Sequence, residues 1–180
     1  MKKNIAIICL DKTMARSTAQ LVAEQLSMRM FDMRELFEFD HKPSLFKDLI
    51  NEYGITYYRQ KELKILKYAK DFENIVLNID PDALYKKDTL KAIKDNYLVI
   101  YMHISLPLIN NILDKEEYSC YKEKTMYVMP KDKLCGRIDR IREQSDIEVN
   151  VSSSSYFKAS GDIIRAIQKY YGINNTKKSK

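Results

Sequence analysis

Five apolar runs punctuate this chain, and helical spacing fills the stretches between them. Residues 4–10, 29–32, 74–79, 97–103 and 147–151 are short and rich in β-branched or aromatic side chains, the pattern of strands. Residues 17–28, 44–52, 56–70, 88–94, 137–143 and 159–171 read as helices. Leu21, Val22 and Leu26, or Leu63, Ile65 and Leu66, recur there at three- and four-residue steps. Ser105 reads as the cap of one more helix, with Pro107 in its first turn. Such alternation buries a mostly parallel sheet between two layers of helices, so a three-layer, doubly wound α/β fold is expected. Ligands of such sheets gather at the carboxyl ends of the strands. Residues 9–18, Asp32 and residues 78–82 should therefore surround one mouth.

The 180 residues suit a single domain over residues 1–172, followed by a basic flexible tail at 173–180. The net charge is +6, and Lys177, Lys178 and Lys180 in that tail supply half of it. A nucleic-acid partner is not expected on that balance. No long apolar run predicts a membrane span, and the short apolar stretch at the N-terminus does not read as a signal peptide. Cys9, Cys120 and Cys135 are odd in number and lack metal-ligand spacing, which fits free thiols in the cytoplasm. Residues 114–135 are polar and read as an irregular flap.

Chemistry enters at the corner after the first run. A phosphate-binding loop belongs between a strand and a helix, and its Gly-Lys-Ser-Thr ending is half present as Ala15-Arg16-Ser17-Thr18. No glycine occurs in CLDKTMARSTAQ, residues 9–20. MFDMRELFE carries one aspartate of an Asp-x-Asp pair, YGITYYRQKELKIL an aromatic-Arg-x-x-Glu motif, and NYLVIYMHIS and SDIEVNVS two later strands. Taken in order over residues 4–171, these stretches resemble the shikimate kinase family of P-loop kinases. The resemblance implies a five-stranded parallel sheet flanked by helices, with a lid over the phosphates at residues 114–135.

It also implies roles. Lys12, Thr13, Arg16, Ser17 and Thr18 would hold a nucleotide, Ser17 and Asp32 a magnesium ion, and Arg34 and Arg59 the substrate. Departures fall at the same places. Leu10, Thr13 and Ala15 stand at the loop's glycine positions, where positive φ lets backbone N–H groups converge on phosphate. Arg16 puts a larger planar fork where the family has a lysine. Arg34 stands where the second aspartate would help deprotonate the acceptor hydroxyl, a proton that a guanidinium cannot accept. Asn78, Ile79, Asp80 and Pro81 fill a glycine turn.

Several residues admit two readings. Ser17 is a metal-binding hydroxyl or the cap of a helix. Asp80 and Asp82 attract a metal or a basic group, or shape a turn around Pro81. Arg59 and Glu62 face an internal pocket or form a surface ion pair. Arg137, Arg140 and Arg142 are late anion contacts or a solvated helix face. His41 and His103 read as structural histidines.

The function expected from these residues is that of a shikimate-kinase-like binding or regulatory module without catalysis. It would need no cofactor and would serve an unidentified protein partner or a small acidic ligand. The alternative is an active kinase of shikimate or another small acid, using ATP and magnesium at a remodelled phosphate loop. Nucleic-acid binding through the tail and the late arginines is a third reading.

Overall fold

A computed structural model describes residues 4–41, 46–85, 87–105, 107, 119–122, 125–128, 131–151 and 155–173. The chain begins with β1 (Asn4–Cys9), α1 (Lys12–Gln25), β2 (Arg29–Asp32), α2 (Met33–Asp40) and α3 (Phe46–Ala69). It continues through β3 (Ile75–Asn78), a 3₁₀ turn (Pro81–Tyr85), α4 (Lys87–Asn96) and β4 (Tyr97–Ile104). Beyond these lie β5 (Ser119–Lys122), β6 (Thr125–Val128), α5 (Lys131–Gln144), β7 (Ile147–Val151) and α6 (Tyr156–Tyr170). The main sheet is parallel, in the order β2-β3-β1-β4-β7.

Every residue of β1 is buried, as a central strand between two helical layers must be. The step from β1 to β2 runs one way along the sheet and the step from β3 to β4 runs the other. Right-handed crossovers then put α1 and α4 on opposite faces. α6 returns to pack beside α1, and α3 packs beside α4. The five expected strands are all present and parallel. Among the described residues, no helix is long and apolar enough to cross a membrane.

Four boundaries differ from the sequence reading, each for a local reason. α1 starts at Lys12 rather than at residue 17. Asp11 caps it, its Oδ1 accepting from Met14 N at 2.9 Å, while Ala15 N donates to Asp11 O at 2.9 Å. With no glycine to favour a left-handed turn, the helix runs back to the nearest competent cap. Ser17 is therefore inside the helix and caps nothing. Second, α2 was not expected; Asp32 caps it, with Glu35 three residues on.

Third, the two helices expected around Gly54 join as α3, bent where Gly54 takes φ 82° and ψ 161°. Fourth, the described residues between 114 and 135 are regular rather than irregular. SCYK and TMYV pair antiparallel as β5 and β6, and α5 begins at Lys131. Two aromatic-containing runs separated by two residues make a hairpin pattern. The helix expected after Ser105 lies largely outside the described residues, as do residues 174–180 of the tail.

One buried side chain ties the N-terminal ends of two strands. Asn4, 4% exposed, donates from Nδ2 to Phe72 O at 2.8 Å and accepts at Oδ1 from Ile75 N at 3.2 Å. Asn4→Ala strands a buried N–H and a carbonyl together. The expected loss is about 2–4 kcal/mol of unfolding free energy, read as a lower urea midpoint at unchanged m-value.

Candidate functional site

The carboxyl ends of β1, β2 and β3 open into a cleft of about 320 Å³. Cys9, Asp32 and Asn78 end those strands and line it. α1 presents Lys12, Thr13, Arg16 and Ser17, which the helical repeat places on one face. Thr18 belongs to the opposite face. It is fully buried, and its hydroxyl finds no hydrogen-bond partner among the described residues. Four of the five nucleotide candidates thus reach the cleft, and Thr18 does not.

Asp32 is 6% exposed and committed on both oxygens. Oδ1 accepts from Arg34 N at 2.8 Å and Glu35 N at 3.4 Å, and Oδ2 accepts from Asn78 Nδ2 at 2.6 Å. Its position as the cap of α2 explains the first two bonds. Among the described residues, no group of three or more His, Cys, Asp or Glu side chains is arranged to hold a metal ion.

Carboxylates answer the arginines of the cleft. Arg16 pairs with Glu35 across the gap between α1 and α2, where both side chains are at least half exposed and such a pair contributes little stability. Arg34 Nη2 donates to Asp80 Oδ2 at 3.0 Å. Burial works against the charge on Arg34, but Asp80, with Tyr58 and Asp32, outweighs it and holds the guanidinium more firmly protonated than usual. Arg59 Nη1 donates to both oxygens of Glu62, at 3.0 and 3.1 Å. Glu62 is completely buried, so this pair points inward and is not a solvated surface bridge. Asp80 also shapes the turn: its carbonyl accepts from Ala83 N at 2.9 Å. The side chain of Asp82 lies outside the described residues.

The remaining candidates lie elsewhere. Arg140 and Arg142 are exposed, and Arg142 Nε donates to Glu148 at 2.9 and 3.0 Å. The side chain of Arg137 lies outside the described residues. His41 bonds to Phe37 O at 2.8 Å and to the Tyr57 hydroxyl at 3.2 Å, a packing role. Burial first, and Arg142 second, lower the pKa of His103. Its ring sits beside Tyr101 rather than in the cleft. Glu35 and Glu38 line the cleft and were missed. The Asp32-x-x-Glu35 capping pattern is the signal that could have found the helix bearing them.

Burial pushes the Cys9 thiol up to about 12 from 9.0, and the Tyr97 hydroxyl up to about 12 from 10.0. The folded chain holds both protons more tightly than the unfolded one. Their stabilising effect is complete below the unfolded values and is lost as pH rises toward the folded ones. Urea midpoints should therefore be level up to about pH 8 and fall steadily by about pH 10.5. A midpoint that is flat across that range would mean these groups ionise within the fold.

The family model for shikimate kinase matches residues 15–168. This chain belongs to the shikimate kinase family. A shikimate kinase from Chlamydia pneumoniae is 24% identical over 173 residues, covering 90% of this chain and 98% of that protein. The crystal structure of shikimate kinase from Aquifex aeolicus vf5 superposes with TM-score 0.74 at 15% identity, over 95% of this chain and 99% of the other. Shikimate kinase from Acinetobacter baumannii, solved in complex with shikimate, gives 0.75 at 16% identity, over 98% and 96%. The sheet order and flanking helices are thus those of a shikimate-kinase P-loop fold.

Proposed function

We propose that this member of the shikimate kinase family is a binding or regulatory module that no longer transfers phosphate to shikimate. The carrying observation is the Arg34–Asp80 pair. A fixed cation fills the position that the family resemblance gives to a proton-accepting carboxylate, and a guanidinium cannot take up that proton.

The phosphate end supports the same reading. A nucleotide needs several backbone N–H groups free to converge on its phosphates. Here Met14 N and Ala15 N are already bonded to Asp11, because α1 begins at Lys12. Both oxygens of Asp32, the other candidate for a magnesium ion, already accept hydrogen bonds within the chain. These residues do not fit a magnesium nucleotide held in a glycine-loop cradle, so no cofactor is assigned. The ligand in this reading is a protein partner or a small acidic molecule. ADP release coupled to an indicator enzyme, with and without shikimate, tests it; equal rates are expected.

A second reading keeps one observation in its favour. Lys12, Arg16 and Ser17 still line a single cleft with Asp32. A remodelled kinase acting on a small acid would use that set, and a saturable acid-dependent rate would establish it.

A further inference from the structure

Asp80 is where two arginines from different elements meet. Arg34 comes from the first turn of α2 and Arg59 from α3 beyond its bend. Asp80 Oδ2 accepts from Arg34 at 3.0 Å, and Oδ1 lies 4.0 Å from Arg59 Nη2. The two oxygens of one carboxylate therefore address two guanidinium groups. All three side chains are largely withdrawn from water, at 28% exposure for Arg34 and 13% for the other two. Paired planar donors around a desolvated carboxylate are the arrangement by which proteins hold small acids. In this chain the acid is covalently its own.

The position is set rigidly. Asp80 directly follows Ile79, whose N–H donates to Ile7 O at 3.1 Å, and the Asp80 carbonyl accepts from Ala83 N in the turn. Pro81 fixes the next φ. Glu62 occupies the other side of Arg59, through Nη1, and leaves Nη2 directed at Asp80. Remove the Asp80 carboxylate and the two guanidinium groups keep Glu62 and Asp32 as anions but lose the carboxylate between them, toward which Arg34 Nη2 is already directed.

We propose that Asp80 acts as a built-in ligand. It fills, from within the chain, a carboxylate site made by Arg34 and Arg59, and a free small acid can enter only by displacing it. The inference rests on reading the cleft as a ligand site, but its readout uses neither nucleotide nor turnover. ADP release with shikimate would overturn the functional reading above and leave this one to be decided separately.

The experiment is chemical rescue of Asp80→Ala by sodium formate, with equal sodium chloride as the ionic control. Thermal unfolding and titration calorimetry read the response. Formate is expected to raise the melting temperature of Asp80→Ala saturably and to bind it at least ~10-fold more tightly than it binds the unaltered protein. The double variant Asp80→Ala with Arg34→Ala should lose that response. If Asp80→Ala does not fold in chloride, recovery of its circular-dichroism spectrum in formate alone is the expected result. Asp80→Ser, which keeps a small polar group, is read in the same way. Equal responses of variant and unaltered protein, a response that survives loss of Arg34, or failure of formate to rescue either variant would overturn the proposal.

Discussion

With shikimate and Mg-ATP both in excess, the protein is expected to release ADP no faster than with Mg-ATP alone. Phosphoryl transfer to an alcohol needs a group that orients the hydroxyl and accepts its proton. At the position that the family resemblance assigns to an acceptor aspartate stands Arg34, bonded to Asp80 at 3.0 Å. A rate of ~1 s⁻¹ or more that depends on shikimate, within the ordinary enzyme range, would reject the proposed loss of activity.

Arg34→Asp alone should not restore turnover. The new carboxylate would stand beside Asp80 and near Asp32, and Asp80 would lose its bond to Arg34, so like charges would crowd one wall. Adding Asp80→Gly relieves the crowding but leaves α1 starting at Lys12. That double variant should also be silent in the ADP assay. Turnover in either variant would show that the phosphate end works as it stands.

Mg-ATP itself should bind weakly, with no saturable heat in calorimetry up to about millimolar nucleotide. The start of α1 and the charges of Lys12 and Arg16 still favour an anion, so inorganic phosphate or sulfate can bind there. A triphosphate needs more. The amides of residues 14 and 15 are spent on Asp11. Losing two charge-assisted hydrogen bonds at ~1.5–3 kcal/mol each weakens binding by roughly two to four powers of ten. A dissociation constant at or below ~10 μM would show that this helix start holds phosphate in another way and would favour the remodelled kinase.

What the sequence revealed follows from which contacts are local. Strand positions were legible because runs such as Ile5-Ala6-Ile7-Ile8 are apolar throughout, and a central parallel strand imposes that composition. α1 is capped at Asp11 rather than at the Ser-Thr ending because aspartate caps as well as serine does and residues 12–16 can continue the helix. On α3 the apolar pattern pointed to Leu63, Ile65 and Leu66. The buried stripe is Tyr58, Glu62, Leu66 and Ala69, with a glutamate where periodicity expects a hydrocarbon. Arg59 at its side explains the exception, since a buried carboxylate needs such a partner. A basic partner for Asp80 was one legible reading, but that the partner is Arg34 was not. The two are 46 residues apart, and only the sheet order brings β2 and β3 side by side.

The bend at Gly54 gives the molecule a mechanical division. Its φ of 82° is left-handed, a conformation that side chains resist and glycine accepts. Before the bend, α3 packs with α2 around a private cluster of Phe37, Leu49 and Ile50, into which Tyr58 reaches back from beyond it. After the bend, α3 delivers Leu66 to the much larger cluster under the sheet. Among the described residues the smaller cluster has four buried side chains, with Ile55 and Tyr57 packed against them. α2 spans both clusters, with Phe37 in the smaller and Met33 in the larger, so the cleft wall bearing Arg34, Glu35 and Glu38 is held from two sides. Any side chain at residue 54 would resist that φ and so strain the joint between the two clusters.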